Sequence, residues 1–305
     1  MPAPVARADS GLVLWAGTVR TASLAERIAA AATAGYSAIS LSPHGYRLAR
    51  SSGMSGTDIR SSVADAGLQV SCFDPFTKWL SRWEPPADFP AAALSFLDAD
   101  ESDFLRAAEA VGAVTMTVFE PFGVHWPEDV LAAGLASISD RAAGCGIRFN
   151  AQFIPFLGIA DLAAAWRLVQ LSGAGSAGIV LDTWHYFRGV PDDGLLAAIP
   201  GNRIGAVQVS DAAREPCGDL ETDCLHHRLP AGTVSFPWTG SFACSRPAVA
   251  CTRSALRSSP RPLTSDRRWL MHSTRCRAWS TGRLQRHVKQ HDLTKGRVHD
   301  YHFAV

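Results

Sequence analysis

From residue 11 to about residue 212, strand-like apolar runs alternate with stretches whose apolar positions recur at helical spacing. Gly11–Arg20 reads as a first strand. A helix follows from Ser23 to Tyr36, opened by the capping box Ser23-x-x-Glu26 and with Gly35 at its end. Ala38–Ser42 is a second strand. Ser55-x-x-Asp58 opens the next helix, which ends near Gly67, and Gln69–Phe73 is a third strand. Asp98–Gly112 reads as a helix and Val114–Phe119 as a fourth strand. Pro127 suits the first turn of a helix running to Gly144 or Gly146. Ile147–Ile154, Gly178–Leu181 and Ile204–Val209 are the fifth, sixth and seventh strands, separated by helices over Ile159–Leu171 and near Asp192–Ile199.

Seven strand-then-helix units imply a parallel α/β architecture. A doubly wound open sheet is one solution, yet Ala16-Gly17-Thr18 after the first strand is no G-x-G-x-x-G phosphate loop. Polar residues instead stand just after successive strands: His44, Asp74, Glu120, Gln152, Asp182 with His185, and Asp211. An eight-stranded barrel collects its site residues in this way at the C-terminal ends of its strands. The expectation is therefore a (β/α)8 TIM-barrel type fold over residues 1–240, with seven units recognisable and a regular eighth strand lacking.

Leu181-Asp182-Thr183-Trp184-His185 ends an apolar strand with a carboxylate and adds an imidazole three residues later. The pair can bind a divalent metal or a sugar hydroxyl; equally, Asp182 can cap the next helix with His185 packed beside it. Gln208 and Ser210 share a face of the seventh strand, Asp211 ends it, and Arg214 in the loop beyond can clamp an oxyanion or remain solvated. Gln152 is a polar group at an apolar strand end. Glu120, before Pro121, can serve as a catalytic base or as a helix-entry carboxylate, and His44 is a second candidate for contact with substrate. Cys217, Cys224, His226 and His227 share one segment, but the C-x6-C spacing is wide for a zinc knuckle and a plain loop is the simpler reading.

Taken together, Gln152-Phe-Ile-Pro, Asp182-Thr-Trp-His185, Gln208-Val-Ser-Asp211-Ala-Ala-Arg214 and Arg228-Leu-Pro-Ala-Gly232 resemble the sugar phosphate isomerase/epimerase group of xylose-isomerase-like TIM barrels, over about residues 11–237. The resemblance implies a divalent metal (Mn, Mg or Zn) held by Glu, Asp, His and a last Glu on the eighth strand, with the glutamates moving a proton on carbon. It assigns metal contact to Asp182, Gln152 and Gln208 and substrate contact to His185 and Arg214; Arg228 joins the substrate contacts from the matching loop, His185 is the catalytic candidate, and from their own strand-end positions Glu120 is a replacement base and His44 a further substrate contact. Gln152 and Gln208 stand where the family has Glu and His. An amide is no proton-accepting base and is a weak ligand for transition metals, so weak or absent metal binding is expected. The substrate implied is a small polyol, keto sugar or related hydroxy-carbonyl compound. The alternative is a catalytically impaired or truncated barrel without turnover.

Charge divides the chain. Residues 1–240 carry 16 Lys+Arg against 25 Asp+Glu, whereas residues 241–305 carry 13 against 3. Beyond residue 238 no long period of 2 or 3.6 survives, and Arg, Ser, Pro and Trp follow one another without pattern. The best apolar stretch there, Pro247–Cys251, is short and Ala-rich. Residues 241–305 are thus expected to form a basic, disordered tail, such as a reading-frame change near residues 233–238 would produce. Nucleic-acid binding through that tail is the alternative, supported only by its charge. Seven scattered cysteines fit a reduced, cytoplasmic protein. No run of eighteen apolar residues is present, so a membrane-spanning helix is not expected.

Overall fold

The computed structural model describes residues 11–231, residue 233 and the strand at 254–256. Its elements run β1 (Leu12–Leu14), α1 (Leu24–Ala34), β2 (Ala38–Leu41), α2 (Pro43–Ser51), α3 (Gly56–Asp65), β3 (Gln69–Phe76), α4 (Ala91–Leu97) and α5 (Glu101–Ala110). They continue with β4 (Thr115–Val118), α6 (Glu128–Gly144), β5 (Arg148–Gln152), α7 (Leu162–Leu171), β6 (Gly178–Asp182), α8 (Thr183–Arg188), α9 (Asp193–Ala198), β7 (Ile204–Val209), α10 (Leu220–His226) and β8 (Ser254–Leu256). All neighbouring strands are parallel, and they close a barrel in sequence order.

Both capping boxes form. Ser23 accepts from the Glu26 N–H and Ser55 from the Asp58 N–H, and each acid returns the bond to its cap residue. The helices so started lay an apolar stripe on the sheet. Ile28, Ile59, Leu135 and Leu168 share one large core with Ile39, Leu41, Phe149, Ala151, Ile179 and Leu181 from the strands. Side chains alternate across a strand, so Val180 and Asp182 face the opposite way from Ile179 and Leu181. Val13, Trp15, Ala38 and Cys72 form a separate cluster, and the Cys72 thiol lies 3.4 Å from the Thr117 hydroxyl.

Asn150 is fully buried in β5, with neither end of its amide bonded to a protein partner. A Cβ on Gly205 would fall 1.8 Å from its Oδ1, so only glycine lets β7 pass. Gly205→Ala is expected to cost about 1–3 kcal/mol by overpacking. Adding Asn150→Ala should restore most of that loss in denaturant melts; a double variant no more stable than Gly205→Ala would remove the explanation.

The structure corrects the expected boundaries. The first strand is short, and a 3-10 turn over Ala16–Val19 follows it, with the Ala16 N–H donating to Ser40 Oγ at 2.8 Å. Helix α10 occupies a stretch read as loop, α2 lies where the pattern assigns no element, and α8 is the helix that Asp182 is able to cap. A regular eighth strand was not expected, and the eighth position is held by three residues alone: Ser254–Leu256 pairs in parallel with β7 and with β1. Three residues suffice to bridge the backbone groups that β1 and β7 would otherwise leave unpaired. A search for a long apolar run overlooks so short an element. The rest of residues 241–305 lies outside the described residues. Among the described residues no helix is long and apolar enough to cross a membrane.

Candidate functional site

Asp182 ends β6 and begins α8. Its Oδ1 accepts from the Trp184 and His185 N–H groups (2.9 and 3.2 Å), which caps the helix and turns His185 back over the strand end. Gln152 and Gln208 end the flanking strands, and the register sets Gln208 opposite Asp182. All four side chains are fully buried. The Gln152 amide lies 3.3 Å from Gln208 Oε1 and 3.4 Å from His185 Nδ1.

The cation at this centre comes from the β7–β8 connection. Arg228 donates through Nη1 to both Asp182 oxygens (3.0 and 2.9 Å) and to Ser210 Oγ (3.2 Å). Through Nη2 it donates to His185 Nε2 (2.9 Å) and Cys224 Sγ (3.1 Å), and through Nε to the Cys224 carbonyl (3.0 Å). A guanidinium has five N–H donors and no acceptor. All five are used, so none is left for a substrate. Burial alone would lower the Arg228 pKa, but Asp182 and Cys224 outweigh it and hold the group firmly charged. The Trp184 ring lies beneath it, 5.1 Å from the guanidinium carbon.

Because Nη2 can only donate, His185 Nε2 must accept, and the neutral ring carries its proton on Nδ1. That proton calls for an acceptor. A half-turn of the Gln152 amide, with Gln208 turning in concert, supplies one. In either orientation each glutamine keeps one amide end without a protein partner.

Asp223 on α10 fastens the connection. Fully buried, it accepts from Trp184 Nε1 (3.0 Å), Arg188 Nε (2.9 Å) and the Cys217 N–H (2.9 Å). Arg188 also donates to the carbonyls of Ala213 and Arg214, and Arg20 to that of Leu225.

The remaining candidates lie apart from this cluster. The Arg214 side chain is exposed and 3.9 Å from Glu215. His44 sits in the first turn of α2 with its ring against Phe96, centroids 4.1 Å apart. Glu120, considered as a base, is a clasp between loops: its carboxylate accepts from the N–H groups of Phe122, Val124 and Gly158 (3.1, 3.0 and 3.0 Å). Arg228, considered for substrate contact, is saturated within the protein. Cys224 is buried and Cys217 exposed, so the Cys/His segment gathers no zinc knuckle. Arg188 and Asp223 carried no motif; an acid three residues before Thr222, at Asp219, was the available sign of α10.

Burial pushes the Glu120 carboxyl above the ordinary glutamate range, against the pull of its N–H partners. Such a group binds its proton more tightly folded than unfolded. Its stabilising contribution is complete below the unfolded pKa and is lost as pH rises through the raised native value. The stability of wild type relative to Glu120→Gln is therefore expected to fall between about pH 4 and pH 7. Denaturant melts of both proteins at the two pH values measure it, and a constant difference would contradict it.

The metal implied by the resemblance does not fit these residues. Asp182 is the single anion among the three candidate ligands, and Arg228 engages both of its oxygens. The register places Ala255 of β8 opposite Gln208, and Ser254–Leu256 contains no acid. Among the described residues no three His, Cys, Asp or Glu side chains are arranged to hold a metal ion.

A closed parallel barrel with its polar cluster at the strand ends defines a TIM barrel. The chain belongs to the xylose isomerase-like TIM barrel family, which matches residues 28–243. A curated relative, 3-dehydroshikimate dehydratase of Pseudomonas aeruginosa, is 27% identical over 198 residues, 63% of this chain and 29% of that protein. The chain thus spans less than a third of that relative's length. Among solved structures, a xylose isomerase-like TIM barrel/4-hydroxyphenylpyruvate dioxygenase fusion protein superposes with TM-score 0.69 at 18% identity, covering 87% of this chain and 41% of that one. IOLI protein with a bound zinc atom superposes with TM-score 0.67 at 13% identity, covering 88% and 96%.

Proposed function

We propose that this chain is a sugar isomerase/epimerase-like barrel that binds a small hydroxy-carbonyl compound or polyol and lacks metal-assisted proton transfer. One observation carries the reading: Arg228 neutralises Asp182 and saturates His185 Nε2, where the resemblance implies a metal and a substrate contact. The open amide ends of Gln152 and Gln208 support the binding half. They offer hydrogen bonds without charge, which suits hydroxyl and carbonyl groups.

Enolisation at carbon exchanges a C–H proton with solvent, so the turnover half is tested in heavy water. The ligands are D-fructose and 3-dehydroshikimate, the compound named for the Pseudomonas relative. No deuterium incorporation is expected by NMR, with or without added Mn²⁺; exchange stimulated by Mn²⁺ would overturn the reading. For the binding half, Gln208→Leu should weaken calorimetric binding of whichever of the two is bound by about tenfold, the worth of one hydrogen bond. Binding of neither, or binding unchanged in Gln208→Leu, would remove that half.

A further inference from the structure

We infer that Arg27 and the first turn of α2 form an anion seat at the β2 end of the barrel, and that the seat takes the carboxylate or phosphate group of a small ligand. Arg27 stands four residues after the Ser23 cap of α1 and is only 6% exposed. Its Nη2 donates to the Ala22 carbonyl at 3.5 Å. Nε and Nη1 are shut from solvent with no hydrogen-bond partner among the described residues. Burial lowers the Arg27 pKa and the Asp74 charge pulls it back up, yet no hydrogen bond joins Asp74 to either of these nitrogens. A guanidinium can only donate, so what the group lacks is an acceptor that carries negative charge.

The direction of Nη1 locates the seat. A Cβ on Gly45 would come 3.9 Å from Nη1, which sets that nitrogen against the first turn of α2 (Pro43–Ser51). A helix N-terminus carries partial positive charge. The guanidinium therefore belongs to the positive end of α1 and faces the positive end of α2. An oxyanion resolves this juxtaposition: one oxygen accepts from Nη1, and its charge meets both helix ends. Ser42, His44 and Gly45 are half-buried, so the turn itself meets solvent, and glycine leaves the approach to Nη1 uncrowded. Helix α2 directly follows β2, so its N-terminus opens on the face where the barrel strands end. In the ring of eight strands β2 lies four places from β6, across the barrel from Asp182. The seat shares no residue with the Asp182 centre, and a failure of either proposal leaves the other standing.

The test is titration of the full-length protein with sodium acetate and, separately, with inorganic phosphate, at ionic strength held constant with sodium chloride. The readouts are the arginine Nε–H resonances by NMR and the melting temperature. One Nε–H resonance, missing from Arg27→Met, is expected to shift saturably while the melting temperature rises. A shift with acetate alone assigns a carboxylate, with phosphate alone a phosphate ester, and with both an unselective oxyanion seat; each supports the proposal. Gly45→Ala sets a methyl group beside Nη1 and gains helix propensity, so it keeps the test open if Arg27→Met does not fold. It should weaken anion binding by about tenfold, the worth of one hydrogen bond. No arginine resonance moving with either anion, an affinity unchanged in Gly45→Ala, a melting-temperature rise as large in Arg27→Met as in wild type, or the same shift from chloride alone would each overturn it.

Discussion

Replacing Arg228 by alanine is expected to remove about 3–5 kcal/mol of stability, the usual cost of stranding a buried charge. Asp182 is fully buried, and Arg228 donates to both of its carboxylate oxygens. The change also deprives Ser210, His185 and Cys224 of a donor. For a domain of this size the melting temperature should drop by on the order of 10 °C. Arg228→Met combined with Asp182→Leu removes both charges and should recover most of the loss, since an apolar pair of similar volume avoids the desolvation penalty. A single variant within about 0.5 kcal/mol of wild type in urea melts would show that the pair is exposed in solution.

Asp223→Ala is expected to cost about 3–5 kcal/mol by the same rule. It strands Arg188 and removes the acceptor for Trp184 Nε1 and the Cys217 N–H together. Its consequence is wider than its own contacts, because α10 carries Cys224 and leads into Arg228. Hydrogen exchange should therefore accelerate across residues 211–229 and at the α8 amides capped by Asp182. Asp223→Asn keeps one acceptor oxygen and should fall between wild type and Asp223→Ala. Equal losses in the two variants would mean that the charge alone matters; unchanged exchange across the segment would show that α10 is held elsewhere.

Strands β2, β4 and β6 were legible because they are buried on both faces, and β7 because its apolar run survives although it is only half-buried. Ile204–Val209 stands where its pattern places it, and both capping boxes form as spaced. Asp182 was read with two outcomes, and the structure joins them: it caps α8 and also holds the centre's charge. What sequence could not supply was the partner of that charge. Arg214 lies closer in sequence to the strand end, yet it is exposed, while Arg228 reaches back from 46 residues beyond Asp182. That choice depends on α10, a seven-residue helix with no long apolar period to announce it. Glu120 was ambiguous for the same reason: a strand-end carboxylate bound to backbone N–H groups of two loops has the same local sequence as one facing substrate.

Asp182, Gln152 and Gln208 belong to the scaffold, but Arg228 and Cys224 belong to a connection between strands. The electrostatic identity of the barrel's centre is thus set by a part that this architecture exchanges readily while its strands stay fixed. Grafting residues 211–231 into a related barrel would carry the guanidinium and the thiol with it, though the graft would also need the Trp184 and Arg188 contacts that seat Asp223. Cationic character at the strand ends is in this sense modular: it can be acquired or discarded with one segment, without redesign of the sheet beneath.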